Sequence, residues 1–157
     1  MKARRFVAGA LGIILFGFGT VPVGAQKPAG VIDTVDAEWS GVQTDLLEVR
    51  RMSDNTIRVR WRWRNTGDTE VALYAHDAAG LLTSETYLLD PTNKKKHLVV
   101  TDAGGRPIGT DIGSSFRVKP KESYAAWAKF PAPPANIEKI TVVIAKTPAF
   151  EDVIIGK

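Results

Sequence analysis

The sequence predicts an all-β domain, an antiparallel β-sandwich of about seven to nine short strands, and three observations carry that expectation. The first is the stretch Ile57-Arg58-Val59-Arg60-Trp61-Arg62-Trp63-Arg64, in which apolar and basic residues alternate without a break. Side chains on a strand point to opposite faces with a period of two, so this pattern fits a half-buried strand and cannot make an amphipathic helix. The second is a series of short β-branched and aromatic runs that recur after every 8 to 15 residues or so. The third is glycine, proline, Asn or Asp at most corners between those runs, with almost no helical periodicity.

The bulk numbers agree with one ordinary folded unit. The chain has 157 residues, with 44% apolar and 24% charged residues, which is one domain's worth of globular sequence. Residues 1–25 have the three parts of a secretory signal. Lys2, Arg4 and Arg5 precede an apolar run over residues 6–19, and Val23 and Ala25 supply the small residues before a cleavage site. The run is 14 residues long with four glycines, short for a membrane span. Cleavage after Ala25 removes three basic residues and leaves 18 Lys and Arg against 17 Asp and Glu. The mature chain is therefore near neutral, and its basic character is local. There is no cysteine, which excludes disulfides, thiolate chemistry and a lipid-bearing cysteine. Periplasmic or secreted localisation follows, with no membrane span after cleavage.

Taken in order, residues 26–41 are small and polar and read as a spacer or a loosely docked first strand. The domain proper is expected over residues 42–157. Residues 42–51 form a strand with Leu47 and Val49 inward, and Met52-Ser53-Asp54-Asn55 turns into the tryptophan strand. Asn65-Thr66-Gly67-Asp68 is a second turn, leading to a strand over residues 69–74. Residues 75–83 fit a helical turn or a loop, and residues 84–89 are extended. Pro91 to Lys96 is a loop before a strand at residues 97–102, and Gly104-Gly105 is a turn. Phe116 and Val118 fit a short strand, and residues 123–130 alternate less cleanly. Beyond Pro131, Pro133 and Pro134, a strand at residues 137–145 turns Ile140, Val142 and Ile144 inward, and residues 150–155 close the chain. A two-sheet immunoglobulin-like sandwich is the first expectation and a small closed barrel the second.

Four stretches taken together carry a resemblance. They are Arg58-Val59-Arg60 through Asn65-Thr66-Gly67; Tyr87-Leu88-Leu89-Asp90-Pro91 through Lys96; Val99-Val100-Thr101-Asp102-Ala103-Gly104-Gly105-Arg106-Pro107; and residues 126–134 with 140–143. The chain resembles poorly characterised bacterial exported immunoglobulin-like modules, found in envelope lipoproteins and beside peptidoglycan-binding domains of the outer-membrane-protein-A type. The resemblance covers most of residues 42–155 and rests on turns and core strands. It implies a fold and an envelope location, and it carries over no functional residue. The chain departs from those relatives in lacking the lipid-anchoring cysteine.

Candidate chemistry begins with Arg58, Arg60, Arg62 and Arg64, four guanidinium groups on one strand face. Successive members stand about 7 Å apart, a spacing suited to an anionic polymer or an acidic protein surface. The competing reading is a solvated face whose arginines pair with acids such as Glu48 or Glu70. Lys94, Lys95 and Lys96 form a second basic spot, which a solvated loop also explains. Trp61 and Trp63, with Trp127 and Trp39, could form a carbohydrate-stacking surface, but Trp61 and Trp63 share the apolar face with Ile57 and Val59 and so belong to a core. Trp39, in a polar leader, is the better candidate for exposure. His76 and His97 lack the companions a metal site needs, and Asp33, Asp36 and Glu38 lack the spacing of a calcium loop. No nucleophile elbow, zinc helix or phosphate loop is present.

The expected function is therefore that of an exported, non-catalytic binding or protein-interaction module, acting through its basic sheet face and needing no cofactor. Its partner would be an envelope protein or an anionic surface polymer, and not nucleic acid. The alternatives are a secreted hydrolase, or a carbohydrate-binding protein with its site in the sandwich-end loops near residues 92–96 and 104–110.

Overall fold

The computed structural model describes residues 30–75, 80–83 and 85–157. The signal read at residues 1–25 and the His76-Asp77 pair lie outside the described residues. Ten strands and one helical turn follow one another: β1 Asp33–Asp36, β2 Val42–Arg51, β3 Thr56–Asn65, β4 Val71–Tyr74, α1 Gly80–Thr83, β5 Tyr87–Asp90, β6 Lys95–Leu98, β7 Ser115–Val118, β8 Ser123–Pro131, β9 Lys139–Val143 and β10 Phe150–Ile154. The architecture is all-β, and every strand pair is antiparallel. One sheet has the order β1-β2-β3-β8, a second β10-β9-β5-β6, and β4 pairs with β7 in a two-stranded ribbon.

The alternation on β3 does what its period demands. Ile57, Val59, Trp61 and Trp63 have no exposed surface and lie at the centre of one apolar cluster. That cluster draws residues from both large sheets and from the ribbon, including Leu46 and Phe130, Ile140 and Phe150, and Leu73 and Val118. Trp63 makes T-shaped contacts with Trp61 (centroids 5.6 Å apart) and with Trp39 (6.4 Å), and a tilted one with Phe116 (5.2 Å). Such edge-to-face pairs suit the aromatic quadrupole.

Three expectations need correction. Leu46, not Leu47, joins Val49 in the core, because the β2–β3 register slips between Leu46 and Glu48. The extra residue at this bulge reverses the parity of everything after it. Trp39 is buried, with 7% of its surface exposed. Its stretch is held against the sheet by the β1–β2 pairing and by the Val42 N–H, which donates to the Trp39 carbonyl. Lys95 and Lys96 belong to strand β6 and not to a loop. The Asp90 carboxylate accepts hydrogen bonds from the Asn93 backbone N–H and side-chain amide. With Lys94 at φ 52°, the turn closes within four residues and the strand starts early.

On each side of the first sheet a stretch of backbone beyond the main strand pairs is covered, which blunts the unpaired groups there. Beyond the bulge, Gly156 lies parallel to β2 and exchanges hydrogen bonds with Val49 and Arg51. On the other side residues 108–110 run along β8. The Lys129 N–H donates to the Ile108 carbonyl, and the Thr110 N–H to the Trp127 carbonyl. Only glycine fits between them: a Cβ on Gly109 would stand 2.5 Å from the Trp127 carbonyl oxygen and 3.1 Å from the Ala128 Cα. Gly109→Ala is expected to lower stability by about 1–3 kcal/mol through this overpacking, read as a lower urea midpoint. An unchanged midpoint would mean that residues 108–110 do not seat on β8.

Candidate functional site

The outer face of the first sheet can be built row by row from the strand register. Gln43, Arg64 and Ser123 form one end row, followed by Asp45, Arg62 and Ala125, then Glu48, Arg60 and Trp127, and finally Arg50, Arg58 and Lys129. The four arginines of β3 do share this face. They do not share a role.

Arg62 and Arg64 are committed to Asp45. The Arg62 Nε donates to Asp45 Oδ2 at 2.7 Å and the Arg64 Nη2 to Oδ1 at 3.1 Å, while Thr34 Oγ1 adds a third hydrogen bond at 2.8 Å. Asp45 has no exposed surface. Burial pushes its pKa up, but the hydrogen bonds from Arg64, Arg62 and Thr34 outweigh that, and the carboxyl is held below its ordinary value. Arg64 also donates to Gln43. Gln43 in turn donates to Asp36, so this end joins two arginines and two carboxylates in one network.

The other end is different. Arg58 donates through Nε to Glu48 at 2.7 Å, an interaction that raises the arginine's pKa. Lys129 donates through Nζ to Asp54 at 2.6 Å; mainly this bond, with a second from Thr56, holds the Asp54 pKa down at about 2. Arg50 and Arg60 are exposed and have no carboxylate partner among the described residues. Four cations therefore meet two carboxylates over two rows. Beside them Trp127 is 36% exposed. Met52, Arg58, Arg60, Trp127 and Lys129 line a shallow depression of about 400 Å³.

Lys94, Lys95 and Lys96 are not brought to the arginines. They border a separate depression of about 330 Å³ on the second sheet with Leu89, Asp90, Pro91 and Thr141. Lys96 sits over the Tyr87 ring, its Nζ 3.6 Å from the centroid, which engages that charge within the fold. The residues near 104–110 are likewise tied down: Asp102 caps the turn by accepting from the Gly104 and Arg106 N–H groups, and residues 108–110 follow β8. Glu70 pairs with Arg117, not with β3.

Sequence reasoning did not single out Arg50, Met52 or Lys129, and it set Trp127 with the other three tryptophans in a carbohydrate-stacking surface that core packing outweighed. The signal for Trp127 is present, since Ala126, Ala128 and Phe130 form one parity on β8 and are buried, while Ala125, Trp127 and Lys129 form the other. An inward Val49 already turns Arg50 outward, and what the bulge conceals is that Leu46 shares the core side with Val49. Among the described residues no group of three or more His, Asp or Glu side chains is placed to hold a metal ion, and no helix is long and apolar enough to cross a membrane. Comparison of the chain with protein-family models, curated proteins and solved structures found no match.

Proposed function

We propose that the chain is an exported, non-catalytic binding module of the bacterial envelope, immunoglobulin-like in its sandwich and periplasmic or secreted, whose recognition surface is the basic end of the first sheet's outer face. The observation that carries this reading is the pair Arg50 and Arg60. Both are exposed without a carboxylate partner among the described residues, and Arg60 is the cross-strand neighbour of Trp127. A fold that pairs Arg58, Arg62 and Arg64 to acids of its own leaves these two for an anionic group from outside, which they would hold by charge-assisted, bidentate hydrogen bonds. The signal-like residues 1–25 and the resemblance to envelope modules support the compartment. The partner is an envelope component bearing acidic groups, and not nucleic acid.

Retention of the mature chain on immobilised dextran sulfate, followed against salt, tests this. Retention is expected at low ionic strength and should fade as salt screens the contact. The Arg50→Gln/Arg60→Gln variant should elute near the void. The Lys94→Gln/Lys95→Gln/Lys96→Gln variant loses more charge and should elute like the parent. Equal retention of parent and double-arginine variant, or loss confined to the triple-lysine variant, would refute the assignment.

A further inference from the structure

We infer that the group bound at this basic end is an acidic saccharide, one sugar ring lying against Trp127 and its carboxylate held by Arg60 with help from Arg50. The inference rests on the proposed binding face and goes beyond it by naming the ligand class.

The distribution of charge argues for a compact ligand. Asp45, together with Asp36 linked through Gln43, balances Arg62 and Arg64, so the unmatched positive charge is confined to two rows and suits one or two acidic groups. A long polyanion running down the strand would meet no further free cation there. Arg60 and Trp127 are direct cross-strand partners, so their Cβ atoms stand about 5 Å apart on the same face. A ring resting on the indole therefore presents an exocyclic carboxylate within reach of a guanidinium. The face of a pyranose is made of C–H groups that pack against an aromatic ring while its hydroxyls stay in water, and it suits an aromatic side chain that is apolar in body and polar at one tip.

The platform is also rigid. Trp127 donates its backbone N–H to Thr110 Oγ1 at 3.0 Å and accepts from the Thr110 N–H at 2.8 Å, with Gly109 pressed against the same peptide. The backbone beneath the exposed ring thus needs no ordering when a ligand lands, which favours binding. The depression, about 400 Å³, falls within the size range of small-molecule sites. Nucleic acid is the weaker match: single-stranded binders use successive aromatic platforms along a basic track, and Trp127 is the one large exposed aromatic on this face among the described residues.

Calorimetric titration of the mature chain tests the inference with five probes: tetragalacturonate, a mannuronate tetramer, the fully methyl-esterified galacturonate tetramer, tetraglutamate and an oligothymidylate octamer. At least one uronate tetramer should bind, at least tenfold more tightly than the ester or the peptide. Trp127→Ala and Arg60→Gln should each weaken it tenfold or more, and Trp127→Phe by less, with circular dichroism and melting curves showing each variant folded. Failure of both uronates while dextran sulfate retention stays arginine-dependent would overturn the saccharide and leave the anion-binding face standing. Tetraglutamate binding as tightly as a uronate and indifferent to Trp127→Ala would do the same. Tighter binding of an oligothymidylate octamer would reassign the ligand to nucleic acid. Loss of arginine-dependent retention together with silence from every probe would overturn both readings.

Discussion

Replacing Trp63 by alanine is expected to cost about 4–5 kcal/mol, the upper part of the range for deleting a buried aromatic side chain. Trp63 has no exposed surface. It touches Trp39, Trp61 and Phe116, so its loss removes apolar burial and three ring contacts, each worth about 0.5–1.5 kcal/mol beyond area. The neighbours come from the β1–β2 connection and β3, which belong to one paired sheet, and from β7, held by its pairing with β4, so they cannot collapse freely into the gap. A domain of this size has about 5–15 kcal/mol to lose, so the variant should be marginal at 25 °C. Trp63→Phe, which keeps a ring, should cost less than half as much. Urea unfolding followed by far-ultraviolet circular dichroism measures both. A cost below about 1 kcal/mol for Trp63→Ala would mean that the aromatic cluster is not the centre of the core.

The second large effect is expected at Asp45, where Asn is predicted to cost about 2–3 kcal/mol at pH 7. Removing one partner of a buried ion pair commonly costs about 3–5 kcal/mol. Here the figure is reduced because the Arg62 and Arg64 side chains keep 31% of their surface in water. The effect should depend on pH. The Asp45 carboxyl is held below its ordinary value in the fold, so its contribution is complete above the unfolded-state pKa of about 3.9 and is lost as pH falls through the lower folded value. Asp54 and Asp90 shift in the same direction, and their contributions have the same sign. The parent should therefore hold a plateau above about pH 5 and weaken in acid, while the gap between parent and Asp45→Asn narrows as both approach pH 2. A gap of constant size from pH 7 to pH 2 would show that the Asp45 carboxyl has the same pKa in the folded and the unfolded chain.

These two residues also separate what local sequence shows from what it conceals. The eight-residue alternation of β3 is a property of consecutive residues, since parity on a strand needs no knowledge of what lies alongside. Burial of Trp61 and Trp63 and the shared face of Arg58, Arg60, Arg62 and Arg64 were therefore legible from the sequence. The strand at residues 42–51, the turns at Asn55 and Gly67 and the inward Ile140 and Val142 were legible for the same reason.

The parts that were not legible all depend on partners distant in the chain. Whether a guanidinium is free depends on which carboxylate lies across the sheet, and Asp45 faces Arg62 and Arg64 only because β2 pairs with β3 in one register. The bulge after Leu46 then lets Leu46 share the core side with Val49, while the pairing of β3 with β8 places Trp127 beside Arg60. Composition suggested that Trp39 would be exposed, but the β1–β2 pairing draws it into the core and leaves Trp127 outside. By itself the sequence determined an all-β chain with one basic, tryptophan-backed strand. Tertiary structure decided that three of its arginines are paired and that Arg60, with no carboxylate partner among the described residues, lies beside an indole, because ion pairing follows the cross-strand register, and register is settled by the packing of the whole sheet.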